Sequence, residues 1–218
     1  TITGESASGY SSGQAMKVLE EIAAEKLPPN IGIEWSGLSY QEKKQSGQIG
    51  IVILLAFLFV FLFLAAQYES WSVPIAVLMS LPAACIGAFI GIGIFGLENN
   101  VYFQIGIVML IGMAAKNAIL IVEFAKEQVE KGVDVVEAAV IAGTMRFRPI
   151  VMTSLTFILG MLPLLWASGP GSVSRQSIGV GIFSGMLVAM TIGIILVPFF
   201  FVWIYKIKER VKSKRENK

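Results

Sequence analysis

Hydrophobic residues in this chain fall into long uninterrupted runs, and polar residues gather between them. No Asp, Glu, Lys or Arg occurs between Lys44 and Glu69, between Glu69 and Glu98, between Arg148 and Arg175, or between Arg175 and Lys206. Each gap leaves room for the ~20 residues that an α-helix needs to cross the hydrocarbon of a bilayer. The pattern predicts spans over about 49–66, 73–95, 149–166 and 177–205. A fifth, over about 101–126, reads VYFQIGIVMLIGMAAKNAILIVEFAK and is apolar apart from a charge well inside it. The first span has no polar residue at all, as a lipid-facing helix would. The second carries Pro74 and Pro82, and its Gly87 and Gly91 have the small-xxx-small spacing that permits close helix packing.

The flanks differ in character. Residues 1–47 are polar, with a helix expected over about 12–26, capped by Ser11 or Ser12 and stopped at Leu27-Pro28-Pro29. A half-buried strand is expected over about 31–36, where Ile31-Gly32-Ile33-Glu34-Trp35 alternates. One helix and one strand make no stable domain alone, so this piece reads as the end of an α+β domain whose remainder lies upstream. Residues 48–205 hold the five spans. Between the third and fourth, residues 134–145 have the pattern of a surface amphipathic helix with Asp134 as N-cap and Glu137 following. Residues 206–218 form a basic tail with seven basic residues against two acidic ones.

Composition agrees with a membrane protein: 55% of the 218 residues are hydrophobic and the mean hydropathy is +0.73. The net charge is only +2, but a basic tail just beyond a span marks the cytoplasmic side. Five spans then put the N-terminal segment on the opposite side. Membrane proximity accounts for the tail's charge, so no nucleic-acid partner is expected. Cys85 is the one cysteine and histidine is absent, which leaves no disulfide framework, no His-based metal site and no Ser/His triad. A Schiff-base photoreceptor built on Lys116 would need seven helices, and five argue against it.

The chemistry concentrates around Lys116. A lysine at mid-span costs about 2.5–3.5 kcal/mol on insertion scales, so it normally faces protein or a wet cavity and has a partner. Glu123 follows two helical turns later on the same face, and Arg146 and Thr153 are also seven apart on the next element. Each has a plain structural reading. Thr153 could bond its own backbone, Arg146 and Arg148 could be interfacial anchors, and Glu123 could mark a helix end. Lys116 fits a structural ion pair less well, because no carboxylate in any span lies at its depth. Its partner acid must come from outside this chain. A buried ammonium paired with a titrating acid is a coupling device, and ion-coupled transport is the expected function.

Four strings carry a resemblance: Trp35 to Glu42 (WSGLSYQE), Leu64 to Pro74 (LAAQYESWSVP), Gly112 to Lys126 (GMAAKNAILIVEFAK) and Arg146 to Leu164 (RFRPIVMTSLTFILGMLPL). Together they resemble the C-terminal part of proton-driven multidrug efflux transporters of the resistance-nodulation-division superfamily, hydrophobe/amphiphile branch. The resemblance implies the last five of twelve transmembrane helices, preceded by the end of a periplasmic porter subdomain. It implies a proton relay of Lys116, Asn117, Thr153 and Arg146, with two aspartates supplied by a helix absent here; Glu123, by its spacing from Lys116, is a possible secondary member. It further implies drug–proton antiport, with no cofactor besides the proton-motive force. The expected setting is a homotrimer in the inner membrane of a Gram-negative bacterium, N-terminal segment periplasmic and C-terminus cytoplasmic. A periplasmic adaptor, an outer-membrane channel, the lipid bilayer and small hydrophobic or amphiphilic drugs are the expected partners. The alternatives are a superfamily member that moves lipids or metal ions or assists protein translocation, and an inactive C-terminal remnant.

Overall fold

A computed structural model of the chain describes residues 2, 4, 12–28, 30–45, 49–169 and 171–216, with all of their side chains except those at 38, 41, 45, 49, 72 and 208–216. Ser11, Pro29 and the last two tail residues, on which sequence expectations fell, lie outside the described residues. The elements are α1 (Ser12–Lys26), α2 (Gly37–Gln45), α3 (Ile49–Tyr68), α4 (Ser72–Ile94), α5 (Val101–Glu130), α6 (Val135–Leu165), α7 (Ser172–Val188), a π-helical turn (Ala189–Gly193) and α8 (Ile194–Glu216). Five stretches are long and apolar enough to cross a membrane: α3, α4, α5, α6, and α7 running through the π turn into α8. The protein is a multi-pass α-helical membrane protein.

Small residues line the seam between α4 and α7. A Cβ added at Gly87 would lie 2.6 Å from Val188 Cβ, and one at Gly181 would lie 2.7 Å from the Phe103 ring. Gly91 sits directly against the Ser184 side chain. Lipid tails are as apolar as leucine, so helices in a bilayer associate by close packing rather than by hiding apolar area. The glycines of α4 and α7 supply that closeness, and the resulting seam continues into α5 through Phe103 and Leu110.

Sidedness follows from the connections. The Glu98 carboxylate in the α4–α5 turn accepts from the Ser12 backbone N–H at 2.9 Å, so α1 starts at the same end of the bundle as that turn. Asn100 caps α5 by accepting from Phe103 N–H at 2.9 Å, and its amide donates to Ser177 at the start of α7 at 2.7 Å. At the opposite end Lys126 donates to the Tyr68 carbonyl at 3.4 Å and lies over the Tyr68 ring, 5.6 Å from its centroid.

Four local expectations differ from what is observed. The strand over about 31–36 is not formed: those residues run as an unpaired segment, because a strand needs a neighbouring strand to accept its backbone groups. Instead Trp35 N–H donates to Glu20 at 2.7 Å, Lys43 also pairs with Glu20, and α2, absent from the sequence reading, follows. The amphipathic helix over about 134–145 and the span over about 149–166 are one helix, α6, of 31 residues. Asp134 caps it as expected, accepting from Val136 N–H at 2.9 Å, and Pro149 removes one hydrogen bond without ending it. At ~1.5 Å per residue, α6 is about 46 Å long and outreaches the ~30 Å hydrocarbon layer. Finally, the long last span is interrupted by the π turn, where Thr191 bonds back to the carbonyls of Leu187 (2.9 Å) and Val188 (3.3 Å).

Candidate functional site

Helix α5 has two unlike faces. One is buried and made of Ala114, Ala115, Ala118, Ile121, Val122 and their neighbours, packed into the core. The other carries Lys116 and, two turns on, Glu123, and both side chains are exposed. The sequence reading expected Lys116 to be buried. Here it is exposed, because among the described residues no helix covers that face.

Lys116 instead opens into a groove of about 660 Å³ between α5 and α6, with Thr153, Thr156, Met113, Phe157 and Gly160 among its walls. Lys116 and Thr153 are thus brought to one site. Gly160 lies on the same stripe of α6 as Thr153, so the far wall of the groove has no side chain there. The Thr153 hydroxyl donates to the carbonyls of Pro149 and Ile150, each at 3.1 Å. The Pro149 carbonyl is therefore held by the hydroxyl as well as by the helix, and the Thr153 oxygen keeps its lone pairs free to accept.

Among the described residues the ion pairs are Lys43–Glu20, Lys126–Glu130 and Lys131–Glu127, and none involves Lys116. An ammonium on the outer face of an apolar helix cannot be left against lipid tails without a large cost.

Arg146 and Asn117 stand elsewhere. The Arg146 guanidinium lies over the Phe124 ring, 5.0 Å from its centroid, an arrangement that holds a cation in a desolvated place. Its Nε is buried and has no hydrogen-bond partner among the described residues. Asn117 does not line the groove. It is 6% exposed and its amide donates to Ser154 on α6 at 3.0 Å. Sequence reasoning passed over Ser154; the signal available was a second hydroxyl, beside Thr153, inside an apolar span. Among the described residues no group of three or more acidic, cysteine or histidine side chains could hold a metal.

A family model described as the AcrB/AcrD/AcrF family matches residues 1–205. The chain belongs to that family. Its curated relatives in the family include the toluene efflux pump membrane transporter TtgB of Pseudomonas putida, 53% identical over 92% of this chain. The multidrug export protein AcrF of Escherichia coli K12 is 48% identical over 92% of the chain, and the multidrug resistance protein MdtF of the same strain is 47% identical over 97%. The chain spans about a fifth of the length of these family members, 19–20%. The family resemblance read from the four sequence strings is the one these matches establish: resistance-nodulation-division multidrug and solvent efflux transporters.

Proposed function

We propose that this chain supplies half of the proton-coupling helix bundle of an inner-membrane drug–proton antiporter. Lys116 is the coupling cation, Thr153 the hydroxyl across the groove, and Arg146 the cation nearer the end of α6 that follows the tail side. Asn117 supports Lys116 from behind, and Glu123 is a secondary site on the exposed face. The observation that carries this reading is the Lys116 ammonium, exposed in an α5–α6 groove and ion-paired with no carboxylate among the described residues.

The groove is suited to a helix from outside this chain that presents carboxylates. With those acids ionised, Lys116 is held by charge and hydrogen bonds. When they take up protons the attraction is lost, Lys116 is released toward Thr153, and α5 and α6 are free to shift. Substrates of the hydrophobic and amphiphilic kind are recognised outside the five helices, and the shift is passed to that region through α3 and the α4–α5 turn that touches α1. A homotrimer working with a periplasmic adaptor and an outer-membrane channel completes the pathway, with the basic tail cytoplasmic and the N-terminal segment periplasmic. The exported substances named for TtgB and AcrF, toluene and multiple drugs, support this substrate class.

The test is proton flux. Proteoliposomes holding the full-length transporter, with an imposed pH gradient, should lose that gradient faster when an amphiphilic dye is added. A gradient indifferent to the dye would overturn the antiport reading.

A further inference from the structure

Asn117 and Ser154 each lie one position beyond a groove residue, Lys116 on α5 and Thr153 on α6. One residue turns an α-helix by about 100°, so both point away from the groove and into the bundle. Asn117 is 6% exposed and Ser154 is fully buried. The 3.0 Å bond from the Asn117 amide to the Ser154 hydroxyl therefore ties α5 to α6 on the buried side of the pair, away from the groove.

Ser154 and Ser177 each accept a bond from another element, Asn117 and Asn100 respectively, which most hydroxyls of the spans do not. Thr153, Thr156, Ser80, Ser184 and Thr191 all donate to carbonyls of their own helices. Ser154 receives its bond from another helix. Both partners are buried, so breaking the bond would leave the amide unpaired at the cost of its desolvation. It fixes one point of each helix immediately beside the residues that face the groove.

We propose that Ser154 is a positioning residue, and that the Asn117–Ser154 bond is a pin setting the rotation of α5 against α6 so that Lys116 and Thr153 face each other across the groove. The proposal rests on the reading of Lys116 as the coupling cation. Helices pinned on one side can open and close on the other while the packed core stays intact. Without the Ser154 hydroxyl, the Asn117 amide is left buried and unpaired and must turn to find a partner, carrying Lys116 with it.

The test is the dependence of efflux rate on dye concentration for the full-length transporter in proteoliposomes. Ser154→Ala is expected to lower the maximal rate about tenfold and leave the half-saturating concentration within about twofold, since the drug touches neither residue. Ser154→Thr, which keeps the hydroxyl, is expected to retain most of the rate. Asn117→Ala should lose as much as Ser154→Ala, and the double variant no more than either, the signature of one shared bond. Ser80→Ala removes a buried hydroxyl that bonds only within α4 and is expected to leave the rate unchanged. A wild-type maximal rate for Ser154→Ala, additive losses in the double variant, or an equal loss at Ser80 would each overturn the pin. Should Ser154→Ala fail to reach the membrane, the near-isosteric Ser154→Cys replaces it under the same criteria. Lys116→Ala separates the two ideas: full efflux there overturns the coupling reading, while loss there with a wild-type Ser154→Ala overturns the pin alone.

Discussion

Helices α3 and α5 both cross the membrane, and the more apolar of the two is the less buried. The α3 span is 6% buried inside the protein and the α5 span 56%. In water the order would be reversed, because apolar area is driven inward. In lipid that drive is absent, and the helices that pack together within this chain are those whose backbones can approach closely. Helix α3 is built of Ile, Leu, Phe and Val and touches its neighbours along one stripe ending at Leu64 and Tyr68. Helix α5 presents Gly106, Ala114, Ala115 and Ala118 and lies in the middle of the bundle. The polar groups that a lipid-exposed helix could not carry, Asn117 and Lys116, are on the helix that has protein on one side and a groove on the other.

The contrast can be broken most severely where α5 meets α7. A Cβ at Gly185 would lie 2.9 Å from the Ala84 carbonyl oxygen and would collide with Leu110. Gly185→Val is expected to destabilise the bundle by about 3 kcal/mol, the upper part of the overpacking range, read as a fall in melting temperature of the detergent-solubilised full-length transporter. A bulky residue there without a shift would mean that close approach is not what holds α5. On α3 the difference should appear within one helix. Leu64 is 1% exposed and Phe63 is 68% exposed; Leu64→Ala is expected to cost about 2 kcal/mol and Phe63→Ala less than about 0.5. Equal costs by the same melt would contradict the one-stripe account of α3.

The smallest effect lies outside the membrane. The Lys43 ammonium, and after it the Trp35 indole N–H, hold the exposed Glu20 carboxyl below its ordinary value of 4.5. The contribution of these contacts to the fold is complete above that ordinary value and is lost as the pH falls through the lower, folded-state value. On acidification the Trp35 indole N–H resonance should move only below pH 4.5. A midpoint above it would show that Glu20 is not the acceptor.

Much of this architecture was readable from charge spacing alone, because a bilayer penalises ionised groups over a known length. The span limits of α3 and α4 agree with expectation to within two residues at each end, and α1 matches at both ends. Elsewhere the sequence carried less. Residues 31–36 alternate like a strand, but alternation only fits a residue to a sheet and cannot provide the neighbouring strand. GLSYQEKKQ has no apolar stripe, so α2 gave no periodic signal. Pro149 looked like a helix start, and α6 passes through it with Asp134 as its cap instead. The π turn lies in an apolar run whose composition is the same with or without it. Lys116 was conspicuous because its charge interrupts such a run, and Thr153 followed by its heptad spacing from Arg146. Ser154 was silent: a serine in a membrane helix usually bonds its own backbone, and only the fold reveals that this one faces Asn117.

The central claim is that the ammonium in the α5–α6 groove couples protons to export. Dye efflux from cells expressing the full-length transporter at matched membrane levels, wild type against Lys116→Ala, tests it most directly. Loss of efflux with the variant still folded and at its wild-type melting temperature is the result predicted. Efflux equal to wild type would contradict the account and leave Lys116 as a structural charge.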